Sequence, residues 1–187
     1  MTSYVLAEEV DAGRASLDDM IKVSRNAWSQ NPIFNGSSLM WIEPGKPVSL
    51  ADLERGVVIS SGNDASVAVA EHLAGTESSF VDVMNQLAAE LGLDNTVYRN
   101  PHGLPHPEHR TTARDLATLS VALINGHPEH YKIYKEQSFT YNGIKQYNRN
   151  SLLRSDATVD GLKTGYTSEA GYGLVASAQR EDMRLVS

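Results

Sequence analysis

The sequence predicts an α+β fold, in which a helical block is followed by strands. Three consecutive segments, at about 50–59, 63–73 and 78–91, carry helix caps or apolar residues at helical spacing. The last fifty residues change character, with short β-rich runs around turn signals such as Asn142-Gly143. This order of elements predicts a helical cluster packed on an antiparallel sheet.

The N-terminal third is the least regular part of the pattern. Residues 2–10 are predicted to form a helix, which Asp11-Ala12-Gly13 ends. The segment 16–28 fits both a helical and a strand period. Residues 39–42 and 46–48 are predicted to form a hairpin around Pro44-Gly45, and residues 95–100 a short strand.

The remaining elements have clearer boundaries. Ser49 is predicted to cap the helix at 50–59, and Thr111 or Thr112 the helix at 113–125. A short helix at 127–135 and strands at 137–141, 144–147, 160–167 and 171–178 follow. We therefore expect one domain, 1–187, made of a helical part at about 49–135 and C-terminal strands at about 137–187.

Composition excludes several classes of function. The net charge of -7 argues against nucleic acid or an anionic membrane surface as the main partner. The absence of cysteine excludes disulfides, thiolate metal sites and a cysteine nucleophile. The chain contains no signal peptide and no apolar run of 18 residues, so it is predicted to have no membrane span.

The segment Lys163-Thr164-Gly165 is the first candidate for chemistry. On a predicted strand it offers a cation, a hydroxyl and a position without a Cβ, where another backbone can approach closely. These features suit a ligand that ends in a carboxylate and pairs with the strand edge. The alternative is a glycine-bounded hairpin with an incidental lysine.

Two further segments need the same comparison of alternatives. Ser61-Gly62-Asn63 lies in the predicted turn between two helices, where it could be either a site or a simple helix cap. The loop 101–110 holds three histidines at spacings that suit a metal on a helix, but its glycine and prolines forbid that helix. We therefore expect no metal and no other cofactor.

Ser-x-Asn followed by a distant Lys-Thr-Gly is the pattern of penicillin-recognising serine enzymes. Longer stretches, spread over nearly the whole chain, resemble those of D-alanyl-D-alanine carboxypeptidases, the low-molecular-mass penicillin-binding proteins. They are Leu39-Met40-Trp41, Arg55-Gly56, Ser61-Gly62-Asn63-Asp64-Ala65, Pro101-His102-Gly103-Leu104, Ala113-Arg114-Asp115, Tyr141-Asn142-Gly143-Ile144 and Asn148-Arg149-Asn150. The resemblance implies a β-lactamase/transpeptidase-like fold.

The resemblance also implies roles for particular residues. Ser61 would relay a proton to the leaving amine, Lys163 would act beside it, and Asn63 would bind the substrate's amide carbonyl. Thr164 and Arg149 would bind the terminal carboxylate. Gly165 would let the substrate approach, and the backbone near Tyr166 would donate to the oxyanion; many relatives have His where this chain has Tyr166. The alternative for Arg149 is a surface ion pair with Asp156 or Asp160.

The sequence departs from the family's pattern at the catalytic nucleophile. The family's nucleophile lies in Ser-x-x-Lys at the start of a helix, just before a segment like Met1-Thr2-Ser3-Tyr4-Val5, and no serine of this chain has a lysine three positions later. We therefore expect a fragment cut at both ends and inactive as it stands. Strands near Leu174 and Leu185 would have unpaired edges, which could drive self-association.

The function expected from the resemblance is that of a serine-type D-Ala-D-Ala carboxypeptidase of peptidoglycan metabolism. The alternatives are an inactive truncated scaffold or a peptidoglycan-peptide-binding module and, less favoured, a class A β-lactamase. The expected partners are the pentapeptide ending in D-Ala-D-Ala and, for the full-length enzyme, β-lactam antibiotics. The family implies a periplasmic or cell-envelope location.

Overall fold

A computed structural model describes all 187 residues and contains seven α-helices, two of them continued by other helical turns. Ser49 and Thr112 cap their helices through their side chains, as predicted, and Thr76 caps a third. The helices are α1 Thr2–Asp11, α2 Leu50–Arg55, α3 Asn63–Ala74, α4 Glu77–Glu90, α5 Ala113–Gly126, α6 Pro128–Tyr131 and α7 Leu152–Ser155.

The strands form three separate antiparallel sheets. β1 Met20–Ile21 pairs with β2 Val48–Ser49, and β3 Ser138–Tyr141 pairs with β4 Ile144–Tyr147. The third sheet contains β5 Val159–Thr167, β6 Gly171–Arg180 and β7 Met183–Val186, in the order β5-β6-β7. The predicted hairpin around Lys163-Thr164-Gly165 is thus present and longer than expected.

The predicted hairpin at 39–42 and 46–48 is wrong. Val48 pairs with Ile21, while the backbone amides of Met40, Trp41 and Ile42 donate to the carboxylate of Asp64. These amides are satisfied by a side chain on α3, so they are not available for a strand ladder. The segment therefore forms a loop anchored to α3.

Three smaller expectations also need correction. The predicted strand at 95–100 is reduced to one isolated bridge between Val97 and Arg110. Of the ambiguous segment 16–28, only β1 is regular. β6, which contains Leu174, has neighbours on both sides, so the unpaired edges belong to β5 and β7.

A hydrophobic core of 33 buried residues joins the helices to the large sheet. α3 lies at its centre, with eight consecutive buried residues from Asn63 to Ala70. From the sheet, Leu162 is buried in the same core, directly before Lys163. The core thereby holds the start of α3 and the middle of β5 close together. No helix in the chain is both long and apolar enough to cross a membrane.

Candidate active site

The turn that carries Ser61 has an unusual backbone. After α2 the chain continues through a π-helical turn, Gly56–Ser60, which ends at Ser61 in the left-handed region at φ 56° and ψ 38°. A non-glycine residue is uncommon there, and π-helical turns often occur at functional sites. This turn directs the Ser61 hydroxyl toward β5.

Gly62 is required by close packing at the same turn. A Cβ at this position would lie 3.0 Å from the backbone nitrogen of Met40 and 3.1 Å from its side chain. The next residue, Asn63, donates its backbone N–H to the carbonyl oxygen of Ser38 at 2.9 Å. The Ser-x-Asn turn is therefore packed tightly against the loop that precedes it.

Asp64 locks that loop in place. Its carboxylate is fully buried and accepts hydrogen bonds of 2.8, 2.9 and 3.2 Å from the amides of Met40, Trp41 and Ile42. Burial raises the pKa of the Asp64 carboxyl, and the backbone amides oppose that rise. In the sequence, Asp64 stands out only as part of a motif, and its partners 22 to 24 positions earlier are not predictable there.

Lys163 is the second half of the site. Its ammonium donates to Ser61 Oγ at 2.8 Å and to the carbonyl oxygen of Thr164 at 2.8 Å. No carboxylate lies within ion-pair distance of it. Burial lowers the pKa of Lys163 to about 8, and the charge of Arg149 acts in the same direction. Lys163 thus remains mainly charged at pH 7.

Arg149 is a second cation near Lys163. Its guanidinium donates to the hydroxyl of Ser38, on the loop that Asp64 holds. The predicted alternative partners are occupied elsewhere, since Asp156 pairs with Arg180 at 2.9 Å and Asp160 with Arg184 at 2.8 Å. In a chain with a net charge of -7, two neighbouring cations without a carboxylate partner create a local positive potential.

A cavity of about 260 Å³ opens beside Ser61, Asn63 and Lys163. Apolar side chains of α4 and α5 and the first turn of α1 supply much of the rest of its wall. Arg149, Thr164, Gly165 and Tyr166 are not part of this wall. The structure therefore brings together three of the predicted site residues and leaves the other four outside the cavity.

The predicted residues outside the cavity differ in their surroundings. Thr164 and Gly165 follow Lys163 directly along β5, and Gly165 has open space where a Cβ would be. Tyr166 is exposed and lies against Tyr172 of β6, with ring centroids 4.4 Å apart. A ligand that follows β5 from Lys163 would pass these residues in turn.

Two histidines of the loop 101–110 contribute to the cavity, a position that their sequence pattern does not predict. His102 and His109 both line the cavity, while His106 does not. The side chain of His102 is almost completely buried, and burial lowers its pKa to about 4. It is therefore neutral at pH 7, and only the tertiary packing reveals its position.

A helical layer packed on an antiparallel sheet, with Ser-x-Asn in contact with the lysine of Lys-Thr-Gly beside a cavity, defines the domain of the penicillin-recognising serine enzymes. A family model described as D-alanyl-D-alanine carboxypeptidase matches residues 1–187. The chain belongs to this family.

Comparison with individual relatives supports the same family. D-alanyl-D-alanine carboxypeptidase DacC of Escherichia coli (strain K12) is 51% identical over 189 residues, covering 100% of this chain and 47% of the relative. Penicillin-binding protein 6B of Escherichia coli is 48% identical with a TM-score of 0.95, over 99% of this chain and 59% of that one. Penicillin-binding protein D2 of Listeria monocytogenes, solved in an ampicillin-bound form, is 31% identical with a TM-score of 0.83, over 99% of this chain and 73% of that one.

The chain spans about half the length of the curated relatives it matches. The fold expected from the resemblance is confirmed by these structural neighbours.

Proposed function

We propose that this chain forms the substrate-holding and proton-relay part of a serine-type D-Ala-D-Ala carboxypeptidase. The substrate is a peptidoglycan peptide that ends in D-Ala-D-Ala, and the reaction passes through an acyl-enzyme. The observation that carries the proposal is the 2.8 Å contact between Lys163 Nζ and Ser61 Oγ beside the cavity.

Breaking an amide through an acyl-enzyme requires a proton for the leaving amine. In this proposal Ser61 delivers it, which the contact with Lys163 supports, because a hydroxyl can accept from Lys163 and donate to the departing nitrogen at the same time. Lys163 favours this arrangement electrostatically by stabilising negative charge near Ser61. Asn63, next to Ser61 and on the same cavity wall, supplies an amide for the peptide carbonyl.

The free carboxylate of the terminal D-alanine needs a cationic partner. Arg149 offers a planar fork of N–H donors, and Thr164 adds a hydroxyl on β5. The free edge of β5 offers backbone groups to an extended peptide, and Gly165 leaves room for it. A backbone N–H near Tyr166 would face the oxyanion.

The attacking hydroxyl is not supplied by a Ser-x-x-Lys within these 187 residues. This observation favours a second candidate function, a module that binds peptidoglycan peptides without cleaving them. Both candidates require the same carboxylate recognition. The family match favours either of them over a β-lactamase. A periplasmic or cell-envelope location and binding of β-lactams follow from the same proposal.

The test compares two peptides that differ only at the terminus. Acyl-D-Ala-D-Ala and its C-terminal amide are titrated into the isotope-labelled chain, and amide shifts along β5 are followed by NMR. We expect the carboxylate peptide to bind about tenfold or more tightly, since a charge-assisted hydrogen bond contributes about 1.5–3 kcal/mol. Arg149→Gln should abolish this preference, and Arg25→Gln, at an exposed position, should preserve it. Equal binding of both peptides would contradict the proposal.

A further inference from the structure

Two buried histidines outside the cavity wall connect three helices. His127, between α5 and α6, places Nδ1 2.6 Å from Asp11 Oδ2 and Nε2 3.2 Å from Glu8 Oε1, both on α1. His130, on α6, places Nδ1 2.6 Å from Glu54 Oε1 of α2 and Nε2 3.6 Å from Asp11 Oδ1. Both imidazoles are buried, and so is Glu54.

The proton count of this cluster depends on pH. A neutral imidazole has one N–H donor, whereas each of these rings has a carboxylate oxygen near both of its nitrogens. Only the imidazolium form can direct an N–H toward both carboxylates. When His130 is protonated, its two N–H groups can face Glu54 and Asp11; when it is neutral, one of these carboxylates faces a lone pair.

We propose that His130 and the carboxylates of Asp11 and Glu54 form a protonation-dependent clamp that holds helix α1 against α2 and α6. The clamp is closed when the imidazole of His130 is charged. It loosens when His130 loses its proton, because a lone pair then faces a carboxylate in a buried site.

The clamp matters for the candidate active site because α1 has the clamp at its C-terminal end and the cavity at its N-terminal end. At its N-terminal end, Thr2 and Ser3 line the cavity beside Ser61. Thr2 Oγ1 donates to the carbonyl oxygen of Pro101, and Ser3 Oγ is hydrogen-bonded to the hydroxyl of Tyr134. A change in how the C-terminal end of α1 is held is therefore transmitted to the cavity wall through a single helix.

The groups that face the two rings from each neighbouring helix determine whether the clamp is stabilised or weakened as pH rises. α1 contributes Glu8, Asp11 and the edge of Tyr4, whose ring centroid lies 5.0 Å from that of His127, and α2 contributes Glu54. Each imidazole also faces the other, at 6.4 Å between centroids.

Glu54 raises the pKa of His130 above its ordinary value of 6.5, and Asp11 acts in the same direction. A raised folded-state pKa gives stability that is fully present below pH 6.5 and is lost as pH rises through the folded-state value. The clamp therefore opens on the alkaline side of pH 6.5.

Amide hydrogen exchange of the intact chain at pH 6 and pH 8, corrected for intrinsic rates, tests the clamp without any substrate. We expect amides of α1 to lose protection by about tenfold at pH 8 for each unit by which folding raises the pKa of His130, with a smaller change in α4. Glu54→Gln removes the charge with little change of shape and should abolish the pH dependence in α1. Asp11→Asn changes a half-exposed residue and should weaken the pH dependence in α1. It replaces Glu54→Gln as the test variant if Glu54→Gln does not fold.

Asp19→Asn is the matched control, because Asp19 faces His72 at 3.2 Å in an exposed pair. It should leave the pH dependence of α1 unchanged. Protection of α1 that does not vary between pH 6 and pH 8 would overturn the proposal. A pH dependence of undiminished size in Glu54→Gln, or in Asp11→Asn where Glu54→Gln does not fold, would overturn it as well. Because no step uses the peptide site, failure here would leave the proposed function untouched.

Discussion

Lys163 Nζ lies 2.8 Å from Ser61 Oγ, although 102 positions separate the two residues. The contact joins the end of a π-helical turn to the middle of β5, and no carboxylate competes for the ammonium. The two motifs predicted that Lys163 would lie beside Ser61, and this contact confirms that prediction. The roles assigned to the residues remain predictions.

The first prediction concerns covalent labelling. The chain contains no Ser-x-x-Lys, so we expect no acylation by a fluorescent penicillin on a denaturing gel. Penicillin-binding protein 6B, prepared in parallel, serves as the positive control. A labelled band at the mass of this chain would reveal a nucleophile outside the family motif.

The second prediction restores the missing motif. A hybrid with a family segment containing Ser-x-x-Lys before Met1, and family strands after Ser187, should release D-alanine from a peptide ending in D-Ala-D-Ala. In that hybrid, Lys163→Ala should lower kcat/KM by about 10²-fold or more, because one preorganised electrostatic group is lost. Ser61→Ala should slow acylation by roughly 10²–10⁴-fold, as expected for a positioned proton-transfer group.

The structure changes the choice of control for that experiment. All three histidines of the loop 101–110 would be suitable from the sequence alone, but His102 and His109 line the cavity. His106 is exposed and does not, so His106→Ala should leave turnover intact. Loss of turnover in His106→Ala together with a silent Lys163→Ala would place the site at the histidine loop.

The third prediction uses the charge state of Lys163. Its pKa is lowered to about 8, so its charge is present at pH 7 and lost as pH rises toward 9. Affinity for the carboxylate peptide should therefore fall over that range, as measured by the NMR titration. The unfolded chain binds the proton more tightly, so this group makes the free energy of unfolding rise with pH between about 8 and 10.5.

The same lysine predicts a trade-off between stability and function. Lys163→Met removes a buried charge while keeping most of the volume, so it should stabilise the fold by about 0.5–2 kcal/mol and weaken carboxylate recognition. Urea unfolding at pH 7 measures the first effect. Exposed Lys145→Met is the control and should change stability by less than about 0.5 kcal/mol. A destabilised Lys163→Met would show that the contact with Ser61 outweighs the cost of burying the charge.

The fourth prediction concerns the loop that supports the site. Asp64→Ala should lower the free energy of unfolding by about 3–5 kcal/mol, because it leaves the amides of Met40, Trp41 and Ile42 without their acceptor. Asp18 is exposed and makes no side-chain hydrogen bond, so Asp18→Ala should have little effect. Equal midpoints for the two variants in urea would contradict the role given to Asp64.

The fifth prediction concerns self-association. β5 and β7 each have one unpaired edge, and Leu174, Met183 and Leu185 leave much of their surface exposed. Such edges favour pairing with a second copy. Light scattering over a concentration series should show oligomers, which Leu185→Lys at the β7 edge should reduce. A monomer with a cooperative melt at all concentrations would show that these edges need no partner.

The sequence by itself determined the elements that depend on local chemistry. Ser49 and Thr112 cap their helices through contacts three residues away, and the β3–β4 turn at Asn142-Gly143 follows from residues that accept a positive φ. The motif residues were also identified at this level, because their types and spacing resemble a known family. Such features are readable because their physical causes lie within a few residues.

Only the tertiary structure decided which groups meet across the chain. The loop at 39–42 is not a strand because a carboxylate 22 to 24 positions later takes its amides. His102 enters the cavity, and His130 meets Glu54 across 76 positions, because core packing brings their segments together. No local propensity encodes these contacts, since burial and long-range hydrogen bonding select them only when the whole core assembles.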